Sequence, residues 1–181
     1  MNKLTLEDKI ALAEEFQITL ASLEAIIEVE SGGRGFDPTT GKIIIQFEPA
    51  WYKKKSPYTP SGKWSLNKVE NQKKEWEAFN DAFSKDANAA MESTSVGLMQ
   101  VMGFQYKLLG FKTVGAMWDF AKESEKNQVK LGLLFIKSNK ALYNALKKND
   151  FATVAYFYNG KNYKVNDYDT KLENAYKKHL A

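Results

Sequence analysis

Three carboxylates crowd the segment Leu20-Ala21-Ser22-Leu23-Glu24-Ala25-Ile26-Ile27-Glu28-Val29-Glu30-Ser31-Gly32-Gly33, and they differ in what they can do. Leu20, Leu23, Ile26 and Ile27 recur at helical spacing and define one apolar face. One further step along that face lands on Glu30, whereas Glu24 and Glu28 fall off it toward water. Gly32-Gly33 stops the helix just beyond Glu30. Burial disfavours the charged form of a carboxyl, and the negative end of a helix does the same. A carboxylic acid still protonated near neutral pH is the group that general-acid chemistry requires. The competing expectation is a Glu30 that bends out to solvent at a frayed helix end; the segment alone leaves both open.

A second carboxylate of interest ends the run Lys42-Ile43-Ile44-Ile45-Gln46-Phe47-Glu48, which reads as a strand bounded by Gly41 and Pro49. Alternation places Ile44, Gln46 and Glu48 on one face and Ile43, Ile45 and Phe47 on the other. A lone amide, Gln100, sits among Leu98, Met99, Val101 and Met102. Buried, it must find hydrogen-bond partners.

Other chemistries are closed by composition. The 181 residues contain no Cys and one His, His179 near the C-terminus. Thiol catalysis, disulfides and Cys-based zinc sites are therefore excluded, and His179 is expected to be frayed and solvent-facing. No metal and no cofactor is assigned; Asn166 to Asp169 is a polar turn without the spacing of a calcium loop. Hydrophobic residues make up 44% and charged residues 27%, a globular balance. Aromatic content of 13% leans weakly toward a sugar ligand. The net charge of +4 favours a polyanionic partner. The lysines are spread along the chain, so nucleic acid is not expected as the partner. No apolar run is long enough to span a membrane, and no secretory signal is visible.

The elements that must position these residues are mostly helical. Thr5 and Asp8 form an N-terminal capping pair, followed by a face of Ile10, Ala13, Leu12 and Phe16. The second helix starts at Ile18-Thr19. Gly32-Gly33-Arg34-Gly35 is read as a turn whose backbone passes close to a cleft. Residues 52–65 are expected to be loop. A helical pattern covers about 66–91, with a stripe of Trp76, Phe79, Phe83 and Ala87. Residues 92–104 read as a polar loop and a short apolar helix bearing Gln100. Helices follow near 113–122, 124–139, 141–148, 150–158 and 170–179. The sum is seven to nine helices and one short β region, a mainly α-helical α+β fold in a single domain.

Three of these stretches resemble the lysozyme-like superfamily, in its order: Glu28 to Gly33, where a helix ends in Glu-Ser; Ser95 to Met102, with Gly-Leu-Met-Gln; and Ala155 to Gly160, with Tyr-Asn-Gly. The chain more closely resembles the N-acetylmuramidase family found in phage endolysins. Its motifs there are Val29 to Phe36, Phe47-Glu48, Ser95 to Phe104 and Tyr158 to Gly160. The resemblance spans about residues 5–178. It implies a lysozyme-like fold, with the small β region between the catalytic-Glu helix and the long third helix. It also implies that Glu30 is the catalytic acid and Glu48 a second carboxylate, with Ser95, Gln100, Tyr158 and Asn159 lining the cleft. The sequence departs from the family at Val96, where Trp is common and a sugar contact is at stake. It departs again at Pro49-Ala50, where a basic residue and His are common beside the second carboxylate.

The function implied is hydrolysis of the β-1,4 bond between N-acetylmuramic acid and N-acetylglucosamine in peptidoglycan. Glu30 would protonate the leaving oxygen, and Glu48 would steer water or stabilise the oxocarbenium-like centre. The whole of 1–181 would be one catalytic domain without a separate wall-binding module, a monomer acting on glycan strands. It would be made in a host cytoplasm and released to the wall, or else act as a bacterial secreted or periplasmic enzyme. The rivals are a lytic transglycosylase, which needs one Glu and forms anhydro ends, a non-catalytic wall-binding module, and a plain helical interaction domain.

Overall fold

The computed structural model describes residues 2–58, 64 and 71–180. Among them run ten α-helices and three short strands: α1 (Leu6–Glu15), α2 (Leu20–Glu30), β1 (Ile45–Phe47), α3 (Pro49–Lys55), α4 (Gln72–Lys85), α5 (Ala87–Glu92), β2 (Thr94–Val96), β3 (Val101–Met102), α6 (Val114–Glu123), α7 (Glu125–Ser138), α8 (Lys140–Lys147), α9 (Phe151–Asn159) and α10 (Tyr168–Leu180). The class is α+β, mainly helical, as the sequence implies.

Local chemistry sets most helix starts. Thr5 accepts from the Asp8 N–H while the Asp8 carboxylate accepts from the Thr5 N–H, a complete capping box. Thr19, rather than Ile18, caps α2 by accepting from Ser22 N–H. On α1 the burial rests on Leu12, Ala13 and Phe16, while Ile10 is exposed. The helix expected to run unbroken to residue 91 divides at Asp86, which ends α4 and whose side chain caps α5. The start of that helix, residues 66–70, lies outside the described residues. Its buried face is Glu75, Ala78, Phe79 and Ala82; Phe83 is exposed.

Two expectations fail more plainly. Tyr52 to Lys55 are helical, the end of α3, which Pro49 opens at the first helical position. Residues 59–63 and 65 of the expected loop lie outside the described residues. Residues 94–102 form a hairpin, β2 and β3 around the turn 97–100, instead of a loop and a helix. Gly97 (φ +72°) and Gln100 (φ +49°) both take left-handed backbone, which interrupts a right-handed helix at each position. The sheet order is β1-β2-β3, all antiparallel. The outer edge of β1 is closed by side chains of α4: Gln72 pairs with both the N–H and C=O of Ile45, and Glu75 accepts from Phe47 N–H. An open strand edge is thereby removed.

The turn 32–35 packs on α7, and its Gly33 and Arg34 line a pocket with Lys3, Phe36, Pro38 and Glu125, away from the Glu30 cavity. Glu125 accepts from the Gly35 N–H at 2.9 Å. Gln128, buried, accepts from Leu98 N–H and donates to Ala121 C=O. A Cβ at Gly35 or Gly97 would come within 2.0 or 2.6 Å of that side chain. One buried amide thus ties the turn after α2 to the hairpin.

The C-terminal helix is not frayed. α10 lies along α2, with Leu172 and Ala175 buried. His179 sits between Glu24 (3.2 Å) and Glu28 (2.8 Å), and Lys178 reaches Glu28. Glu24, expected in water, is largely covered and also pairs with Lys9. The turn expected at 166–169 is a short 3-10 segment, 163–166, then a left-handed Asp167 that opens α10. No helix of the described residues is long and apolar enough to cross a membrane.

Candidate active site

Glu30 is the last residue of α2, and Asn159 is the last residue of α9. The two helix ends meet: Asn159 Nδ2 donates to Glu30 Oε1 at 2.9 Å. That bond leaves Oε2 to carry a proton. Glu30 is half-buried. Burial pushes its carboxyl above the ordinary range, and the Asn159 donor offsets this only in part. Two negative helix ends converging here act in the same direction as burial.

The carboxyl faces a cavity of about 270 Å³ lined by Glu30, Met99, Gln100, Val101, Met102, Gln105, Phe135 and Tyr158. One acid, one phenol and two amides stand on apolar walls, the composition expected of a site that orients a polar ligand. Burial, and then the charge of Glu30, push the Tyr158 phenol up. It stays a hydroxyl donor at any working pH, with its ring edge-on to Phe135 at 6.3 Å. A larger groove of about 520 Å³ lies between Asp37–Lys42 and α4, with Trp76 and Glu77 in its wall. The smaller cavity is the better candidate because it holds the carboxyl displaced toward neutrality.

Of the residues singled out in the sequence, Glu30, Gln100 and Tyr158 line this cavity and Asn159 bonds to Glu30. Ser95 stands behind it: its Oγ donates to Gln100 Oε1 at 2.9 Å, while Gln100 Nε2 donates to Gly97 C=O at 2.7 Å. The amide is therefore locked in orientation. Val96 is buried, paired with Ile45 and Val101, and does not itself line the cavity. Glu48 is not part of the cavity wall. It precedes α3, and its N–H donates to Ser93 C=O at 2.9 Å. Gln46, Ser95 and Met102 are cross-strand partners sharing one face, but β1 ends at Phe47, so the strand register does not extend to Glu48. Gln105 and Phe135 are lining residues that the sequence did not flag. Gln105 was in reach, since it follows the Gln100–Phe104 motif directly; Phe135 reads only as helix core. Among the described residues no cluster of three His, Asp or Glu side chains stands together as metal ligands.

Fold and site together define a mainly helical protein with a half-buried carboxyl, Glu30, facing a small, largely apolar cavity that carries a few polar groups. The N-acetylmuramidase family model matches residues 19–180. The crystal structure of Burkholderia AP3 phage endolysin superposes with a TM-score of 0.87 and 32% identity, over 99% of this chain and 71% of that one. A search of curated proteins found no match. The chain belongs to the N-acetylmuramidase family, and is a glycoside hydrolase.

Asn159→Ala tests the contact at the acid. Removing the donor takes away the interaction that holds the Glu30 carboxyl down, so its pKa rises further. An acid that must be protonated loses function as pH rises through its pKa. The alkaline limb of the pH–rate profile is therefore expected to move to higher pH. Turnover falls on the order of tenfold because the acid is no longer oriented. An unmoved limb would mean that another group sets it.

Proposed function

We propose that this chain is a lytic muramidase of the phage-endolysin type that cleaves the β-1,4 bond after N-acetylmuramic acid in peptidoglycan, with Glu30 as general acid. The observation that carries the reading is the half-buried Glu30, held at Oε1 by Asn159 and open to the cavity. Its neutral carboxyl donates the Oε2 proton to the glycosidic oxygen as the bond breaks. Charge then develops on the sugar ring. Tyr158 and Gln105 are placed to bind hydroxyl and N-acetyl groups across the same space. Gln100, fixed by Ser95 and Gly97, presents a wall rather than a free amide. Family membership and the endolysin likeness support the substrate class. On this reading one copy of the chain acts as a single catalytic unit.

Glu48 is the second carboxylate of the proposal. From the end of β1, ahead of α3, it orients the attacking water or stabilises the positive ring. Glu48→Gln is expected to lower turnover about a hundredfold with little change in thermal midpoint, read as release of reducing ends. Turnover within a factor of about two of wild type would remove it from the chemistry. A second reading has a specific observation behind it: Glu48 does not line the cavity. A reaction with one carboxylate, closing an anhydro ring on the muramic acid, needs only Glu30.

Borohydride reduction of digested peptidoglycan tests the bond assignment. Cleavage after N-acetylmuramic acid leaves a reducible muramic end. Reduced glucosamine ends would place the cut at the other bond and overturn the assignment.

A further inference from the structure

Trp51 is a large side chain on the surface, 40% exposed, on the first turns of α3 directly after Glu48. Its ring leans on Phe104, centroids 4.7 Å apart. Phe104 belongs to the 3-10 turn Gly103–Gln105, between two residues that line the Glu30 cavity, Met102 and Gln105. The Trp51 backbone N–H donates to Glu48 C=O, so the aromatic pair is joined to Glu48 by a short backbone link and to the Glu30 cavity through the chain neighbours of Phe104. Lysines frame it. Lys54 Nζ lies 4.8 Å from the Trp51 ring centre, and Lys55 Nζ 5.8 Å from that of Phe104. Lys55 is committed to Glu92 at 2.7 Å. Lys54 has no carboxylate partner among the described residues.

An exposed Trp leaning on a half-buried Phe next to a cleft is an apolar shelf for a flat, weakly polar face. The axial C–H face of a pyranose ring is such a face. A cation without a partner beside it suits an anionic substituent. A peptidoglycan strand offers both at once: saccharide rings, and stem peptides bearing carboxylates on alternate sugars.

We propose that Trp51 and Phe104 form an outlying saccharide-stacking subsite continuous with the Glu30 cavity. Lys54 leaves the Trp51 ring there to pair with a stem-peptide carboxylate. The proposal rests on the muramidase reading and deepens it: the subsite selects glycan that still carries peptide. Trp51 is not paired with the core, so the shelf is gained at little cost to folding, and its energy goes to binding rather than to the bond-breaking step.

The test is steady-state release of reducing ends by the whole chain from two probes, purified peptidoglycan and the same material stripped of stem peptides by an amidase. Trp51→Ala is expected to raise KM about tenfold on both probes, and Trp51→Phe to restore most of it. Lys54→Ala is expected to raise KM severalfold on the peptide-bearing probe alone. If Trp51→Ala proves poorly folded by circular dichroism, Trp51→Leu keeps the apolar bulk without the ring face and is held to the same expectation. A KM within about twofold of wild type for the folded Trp51 variant overturns the subsite. An equal loss on both probes for Lys54→Ala overturns the peptide contact. Wild-type protein that releases no reducing ends from either probe would instead sink the muramidase reading on which the subsite depends.

Discussion

Glu30→Gln is expected to lower turnover on peptidoglycan by a factor on the order of 10³ or more, while the fold remains intact. The amide keeps the shape of the side chain and still accepts from Asn159 Nδ2 at the position of Oε1. It has no proton of suitable acidity to give. The same variant carries a stability signature that a solvent-facing Glu30 would not. Burial raises the carboxyl pKa in the folded protein above its ordinary 4.5. At a pH below the unfolded value both states hold the proton, and Glu30 costs nothing. As pH rises past that value the unfolded chain ionises while the folded one resists, so stability falls until the raised folded pKa is reached. Above it the penalty is constant. Glu30→Gln removes this penalty, so its thermal midpoint should exceed that of wild type at neutral pH and converge with it at about pH 4. Equal midpoints at both pH values would contradict a buried acid.

Gly103→Ala is expected to be the most damaging single methyl in the chain's cleft region. A Cβ at Gly103 would lie 1.9 Å from the Met91 carbonyl oxygen, 2.8 Å from its carbon and 3.0 Å from Glu92 Cα. All three are backbone atoms, so no side chain can step aside. The same Met91 carbonyl accepts from the buried Trp118 indole at 3.2 Å. Making room therefore strains α5 and breaks a core hydrogen bond. The expected loss is about 3 kcal/mol or more, a drop in thermal midpoint of roughly 10 °C for a chain of this size. Activity should fall further than the folded fraction, because the displaced turn carries Gln105 and follows Met102, both in the cavity wall. Gly115→Ala is the contrast. Its Cβ would meet nothing nearer than 3.8 Å, in the first turn of α6. It should leave stability unchanged or raise it by up to about 1 kcal/mol. Comparable losses in both variants would show that the close approach at Gly103 is not what matters.

The legible parts of this chain were those governed by local rules. Period and capping placed α1, α2 and the helices from Val114 onward to within a few residues. The apolar stripe of α2 led directly to Glu30, and strand alternation gave the true core side of Ile43, Ile45 and Phe47. The parts that were not legible depend on partners distant in sequence. The run 98–102 has a helix-like apolar composition, yet it becomes a turn and strand because β2 and β1 are waiting beside it. Its conformation is fixed by Gln128, thirty residues away, which no local pattern reveals. Tyr52 to Lys55 looked like a loop because of its lysines, but Tyr52 is fully buried and donates to Ala82 C=O. His179 looked frayed by position, yet two carboxylates of α2 hold it. At the candidate site, spacing and resemblance pointed to Glu30, Gln100, Tyr158 and Asn159, which the structure brings together. Only tertiary packing distinguishes Ser95, which braces Gln100, from Tyr158, which faces the cavity.

The central claim is that Glu30 protonates a glycosidic bond which water then opens. Digestion of purified peptidoglycan in ¹⁸O-labelled water by wild type and by Glu30→Gln, followed by mass spectrometry of the fragments, tests it most directly. The account predicts wild-type fragments ending in reducing muramic acid that carries one atom of label, and no such fragments from Glu30→Gln. Unlabelled anhydro-muramic ends, or labelled ends produced equally by Glu30→Gln, would contradict it.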